Sequence, residues 1–79
     1  MPIKKANQEL QDASLELYLS CLDLYTRNER MDVFSGKDDV YGMLTTYHTI
    51  RSDVLDVEQS LVQYKLALEN LKNEIDKEE

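Results

Sequence analysis

Residues 40–75 read VYGMLTTYHTIRSDVLDVEQSLVQYKLALENLKNEI, and this stretch decides the fold. Taken in heptads, its a positions are Val40, Tyr47, Val54, Leu61, Leu68 and Ile75, and its d positions are Met43, Ile50, Val57, Tyr64 and Leu71. Every one is apolar or tyrosine, with strict 3-4 spacing. Such spacing holds one stripe on one side of an α-helix. A helix of roughly 36 residues is about 54 Å long. A chain this short cannot cover so long a stripe with a globular core, so the helix needs neighbours.

Upstream, Leu10, Leu17, Leu24 and Met31 also recur every seven residues, with the small residues Ala13 and Cys21 beside them. Leu15, Tyr18, Leu22 and Tyr25 form a second apolar row, and Leu19 widens it. Glu16, Ser20, Asp23 and Arg27 are left as a narrow solvent face. A helix apolar over more than half its circumference is expected to have several neighbours.

Between the two patterns, Asn28-Glu29-Arg30 is polar and Ser35-Gly36-Lys37-Asp38-Asp39 reads as a turn. Gly36 is the residue expected to take a positive φ. Ser35 with Asp38 resembles a capping box for the second helix. Val33 and Phe34 are expected to plug the hairpin end. Residues 41–50 are poor helix formers, but the heptad runs through them without a phase break, so helix is read there too.

The fold class is therefore all-α: an antiparallel hairpin with a first helix over about 5–31, a turn over about 32–38 and a longer second helix over about 39–76. Folding about that turn sets Leu24 near Tyr47, Leu17 near Val54 and Leu10 near Leu61. Leu68, Leu71 and Ile75 then overhang as an unpaired stripe. The interface set is Leu17, Leu24, Val54, Val57, Leu61, Tyr64, Leu68, Leu71 and Ile75. Two apolar faces on one helix and a broad one on the other predict a dimer of hairpins, a four-helix bundle. A parallel two-stranded coiled coil fits less well. Its flanking pairs, such as Asp53–Glu58 and Thr46–Arg51, are not attractive, and tyrosine at core positions suits a narrow dimer poorly.

Composition narrows the function. The 79 residues carry 16 acidic and 9 basic side chains, a net charge of -7. An acidic surface repels phosphate backbones, which argues against direct nucleic-acid binding. A lone cysteine, Cys21, excludes an internal disulfide, and a lone histidine, His48, leaves no Cys/His zinc set. Small chains without such staples are commonly held by oligomerisation or a partner. No apolar h-region follows the basic start and no run of about 18 apolar residues exists, so a cytoplasmic protein outside the membrane is expected.

No motif carries chemistry. Asp53, Asp56 and Glu58 sit close in sequence but lack the Glu-x-x-His partner of di-metal bundles, and are read as solvated carboxylates. Ser35-Gly36-Lys37 lacks the first glycine of a phosphate loop. Cys21 has no basic neighbour and is expected to be a small buried hydrophobe. His48 is expected at a surface or interface. Tyr18, Tyr25, Tyr41, Tyr47 and Tyr64 all lie on or beside apolar stripes, as interface tyrosines do.

The expectation is a non-catalytic protein–protein interaction module, an adaptor, assembly chaperone or small scaffold, with no cofactor and with a second copy or another protein as partner. The alternative is a small acidic inhibitor that blocks a basic nucleic-acid-binding site. That reading requires Asp12, Glu16, Asp23, Asp53 and Asp56 to line one face at phosphate-like spacing.

Overall fold

The chain reverses once, over three residues. The computed structural model describes residues 2–78, with α1 over Pro2–Gly36 and α2 over Val40–Glu78. Pro2 opens α1, where its missing N–H costs nothing. The result is an antiparallel hairpin about 60 Å long.

The connection ends one helix and starts the next with few atoms. Asp39 N–H donates to the Phe34 carbonyl at 3.0 Å and Asp38 N–H to the Ser35 carbonyl at 3.2 Å. These are the paired bonds of a Schellman C-cap, which needs one left-handed residue. That residue is Asp38, with φ of 53°. Gly36, expected in this role, is still helical. Aspartate tolerates the left-handed region because its short polar side chain can bond locally. Asp39 then caps α2: its Oδ1 accepts from the Gly42 N–H at 2.9 Å, the standard N-cap bond. The expected Ser35–Asp38 box is not the cap.

The first helix runs past Met31 to Gly36. Asn28, Glu29 and Arg30 are polar because they are exposed helical surface and do not mark a break. Arg27, Met31 and Phe34 keep the 3-4 spacing through this region, and all three are half-buried. The helices are consequently near-equal, 35 and 39 residues, and the overhang of Leu68, Leu71 and Ile75 beyond α1 does not occur.

The register differs too. Ser20 Oγ and Ser60 Oγ lie 3.0 Å apart, and Arg27 Nε lies 3.6 Å from Asp53 Oδ2. Asn70 Nδ2 donates to Glu9 Oε2 at 3.5 Å. Pairs therefore have numbers summing to about 80 (20 with 60, 27 with 53), and Leu17 lies level with Gln63, not Val54.

Phe34 and Gly42 close the turn end. A Cβ on Gly42 would fall 2.7 Å from Phe34 Cδ1 and 2.9 Å from its Cγ. The glycine is a seat for the ring, which explains a poor helix former here. Gly42→Ala is expected to lose about 1 kcal/mol net, because overpacking of about 1–3 kcal/mol exceeds a propensity gain of about 1 kcal/mol. Gly36→Ala meets nothing within 4 Å and is expected to stabilise slightly. Thermal melts of the two variants check the contrast; a Gly42→Ala protein more stable than the parent rules out the seat.

Candidate interaction face

Two rows make the contact between the helices, and they are the small and polar ones. On α1 the row is Ala6, Ala13, Ser20, Arg27 and Phe34. On α2 it is Thr46, Asp53, Ser60, Ala67 and Glu74. Ala6, Thr46 and Asp53 are 2%, 4% and 8% exposed. Side chains this short let two backbones approach closely. Ser20 and Arg27, expected in solvent, lie inside because their row, not the leucine row, meets α2 most directly.

To one side, the back, the groove between the helices is polar. It holds about 540 Å³ and is lined by Glu16, Ser20, Asp56, Gln59 and Gln63, among others. To the other side, the front, lie the large apolar residues. Ile3, Leu10, Leu17, Leu24 and Met31 of α1 face Met43, Ile50, Val57, Tyr64 and Leu71 of α2, all half-buried. Beyond them on α2 runs the row Val40, Tyr47, Val54, Leu61, Leu68 and Ile75, every member exposed, from 37% at Val54 to 74% at Val40. Among the described residues no large side chain is fully buried.

The expected interface set thus divides. Leu17, Leu24, Val57, Tyr64 and Leu71 form the half-buried floor of the front face. Val54, Leu61, Leu68 and Ile75 form its open edge. The strict a/d stripe of α2 is real, but only its d half touches α1.

Shallow hollows mark that edge. One, about 350 Å³, lies among Leu68, Leu71, Lys72 and Ile75. A second, about 240 Å³, includes Arg51, Val54, Leu55 and Glu58. Both quartets are spaced i, i+3, i+4, i+7. That is the hole into which a neighbouring helix inserts a knob.

Further apolar residues lie away from the front. Leu15, Tyr18, Leu19, Leu22 and Tyr25 are exposed along the outer side of α1, and Leu55, Val62 and Leu66 along that of α2. Cys21 is exposed, not buried, because it falls one row outside the contact rows. His48 is also exposed, its ring edge-on to Tyr47 with centroids 5.4 Å apart.

Four of the five carboxylates lie towards the back, and the fifth, Asp53, is buried. Asp53 is in the contact between the helices beside Arg27, Asp56 lines the back groove, Glu16 faces it from α1 in a row with Asp23, and Asp12 lies in the next row round. Among the described residues no three of His, Cys, Asp and Glu gather at one point. No helix among them is long and apolar enough to cross a membrane.

The class these features define is an elongated helical hairpin with an open apolar face. Comparison with known proteins finds no matching family model, no matching curated protein and no matching solved structure.

Proposed function

We propose that the chain is a non-catalytic protein–protein interaction module of the cytoplasm, working as an adaptor, assembly chaperone or small scaffold through its front face. The observation that carries this is the mismatch between the two faces. The residues buried among those described are Ala6, Gly42, Thr46 and Asp53. The leucines, valines and tyrosines that could supply hydrophobic stabilisation remain half-open or exposed. Fully burying one such side chain contributes about 1.5–3 kcal/mol, so covering the front is a large favourable term for this molecule. A contiguous apolar face of this kind marks an interaction surface.

The inhibitor reading keeps Asp12, Glu16, Asp23 and Asp56 on the back side but loses Asp53, which is buried beside Arg27. A cytoplasmic interaction module is also consistent with the absence, among the described residues, of a membrane-crossing helix.

Thiol protection tests the face without requiring the partner to be known. In a Cys21→Ser background, Leu61→Cys is expected to resist alkylation in fresh lysate of the native host. Gln59→Cys, on the back, is expected to label fully. Equal labelling at the two positions would remove the front face as the working surface.

A further inference from the structure

We propose that the occupant of the front face is a second copy of this chain, joined so that α2 of each protomer lies against α1 of the other in a four-helix bundle. The proposal rests on the front face being a binding face and names what binds there.

The missing core is the first argument. A two-helix hairpin with no fully buried large side chain has little to set against the entropy of ordering its chain. Its cover must be present whenever it is folded. A second copy is the one apolar surface produced with every molecule.

Extent is the second. Ten half-buried floor residues and six exposed edge residues run the length of the rod. Shape agrees with it. The stripe keeps its spacing from Val40 to Ile75 on a straight rod about 60 Å long, so an identical rod matches it end to end. The unfilled quartets at Leu68–Ile75 and Arg51–Glu58 are holes for a helix.

Charge selects which helix. The rim of α2 beside the front face is Leu44, Arg51, Glu58, Lys65 and Lys72. Against a second α2 this rim would face like charges, with Arg51 and Lys65 brought towards one another. On α1 the row directly beside the floor is Asn7, Ser14, Cys21 and Asn28, small and uncharged. Long basic side chains can lie across such a row with their heads in water. Placing α2 against the partner's α1 therefore avoids the repulsion and allows close approach.

The arrangement makes a positional prediction. Ser20 is level with Ser60, near the middle of both helices. A two-fold axis parallel to the rod sets α2 against the partner's α1, brings Glu58 level with Cys21 of the partner subunit and keeps the two copies of Cys21 apart, whereas an axis across the rod would set like helices together. Light scattering of the purified protein is expected to give the mass of two chains, and Leu61→Glu is expected to weaken association on the order of 100-fold by burying a charge, while Gln59→Glu leaves it unchanged. Since Leu61→Glu could also fail to fold, cross-linking supplies an independent reading. Under mild oxidation Glu58→Cys, with native Cys21, is expected to run as a covalent dimer on a non-reducing gel. The parent, and Glu58→Cys combined with Cys21→Ser, are expected to run as single chains. A cross-link that persists in the double variant, or that forms in the parent, overturns the pairing of α2 with the partner's α1. A helical monomer, or any mass other than two chains, overturns the second copy itself. The front face would then still stand as a docking surface if Leu61→Cys is protected in host lysate, and both readings fail if it is not.

Discussion

Replacing Arg27 by methionine is expected to lower stability by about 3 kcal/mol, the cost of leaving the buried Asp53 carboxylate without its partner charge. Asp53 is 8% exposed, and Arg27 is the charge beside it. The contact is poor for a pair so placed. Arg27 Nε and Asp53 Oδ2 are 3.6 Å apart, and neither atom has a hydrogen-bond partner. Little net stabilisation is therefore expected from the pair, yet much is lost when it is broken. Arg27→Met with Asp53→Leu should recover most of the loss, because two apolar side chains replace two desolvated charges. Melts at one fixed protein concentration, which removes the mass-action effect of association, provide the check. A loss of about 3 kcal/mol corresponds to a drop of roughly 12–24 °C for a chain of this size. An Arg27→Met protein as stable as the parent would mean that Asp53 reaches water easily and that the layer is not buried.

The second large effect is expected at Ser60. Its hydroxyl meets that of Ser20 at 3.0 Å, at the floor of the back groove that both serines line. Ser60→Leu is expected to cost about 1 kcal/mol in overpacking, the lower end of the usual range because the groove takes part of the side chain. Ser20→Ala with Ser60→Ala removes both hydroxyls together and should be close to neutral. The sign at this position runs against hydrophobicity: leucine harms and alanine does not. Chemical denaturation of the two proteins measures it, and a stabilising Ser60→Leu would show that the helices can separate freely at this layer.

The helices and their antiparallel arrangement are legible in the sequence because 3-4 spacing persists over dozens of residues and so few residues break it. The position of the turn is not, because Asn28-Glu29-Arg30 has the composition of a loop while being one exposed turn of helix. The glycine that looked like the reversal is helical, and the reversal uses Asp38, whose left-handed φ has no composition signature stronger than a neighbouring glycine. Once the turn is displaced, every cross-helix pair shifts with it, which is why Leu17 does not meet Val54.

The assignment of faces is the more instructive difference. Hydrophobic periodicity reports which surface is destined to be covered, but not by which neighbour. The large a residues of α2 were natural candidates for the hairpin contact, yet that contact is made by Ala6, Ala13 and Ser20 against Ser60, Ala67 and Glu74. A signal for it does exist. Both helices carry a row rich in small residues at seven-residue spacing, and two charges within those rows, Arg27 and Asp53, are opposite in sign and fall at matching positions. The candidate face was legible residue by residue, but its division into a floor and an open edge follows only from the register.

That register also fixes how the chain can close. Phe34 and Gly42 are eight residues apart in sequence, whereas Ser20 and Ser60 are forty apart and Glu9 and Asn70 sixty-one. Closing a loop costs entropy that grows with its length, so contacts near the turn are the least costly to form and each one shortens the loop that the next must close. The hairpin is a zipper with its slider at Asp38, and Ile3 and Ile75, far from it, are among the last residues to come together and the first to part.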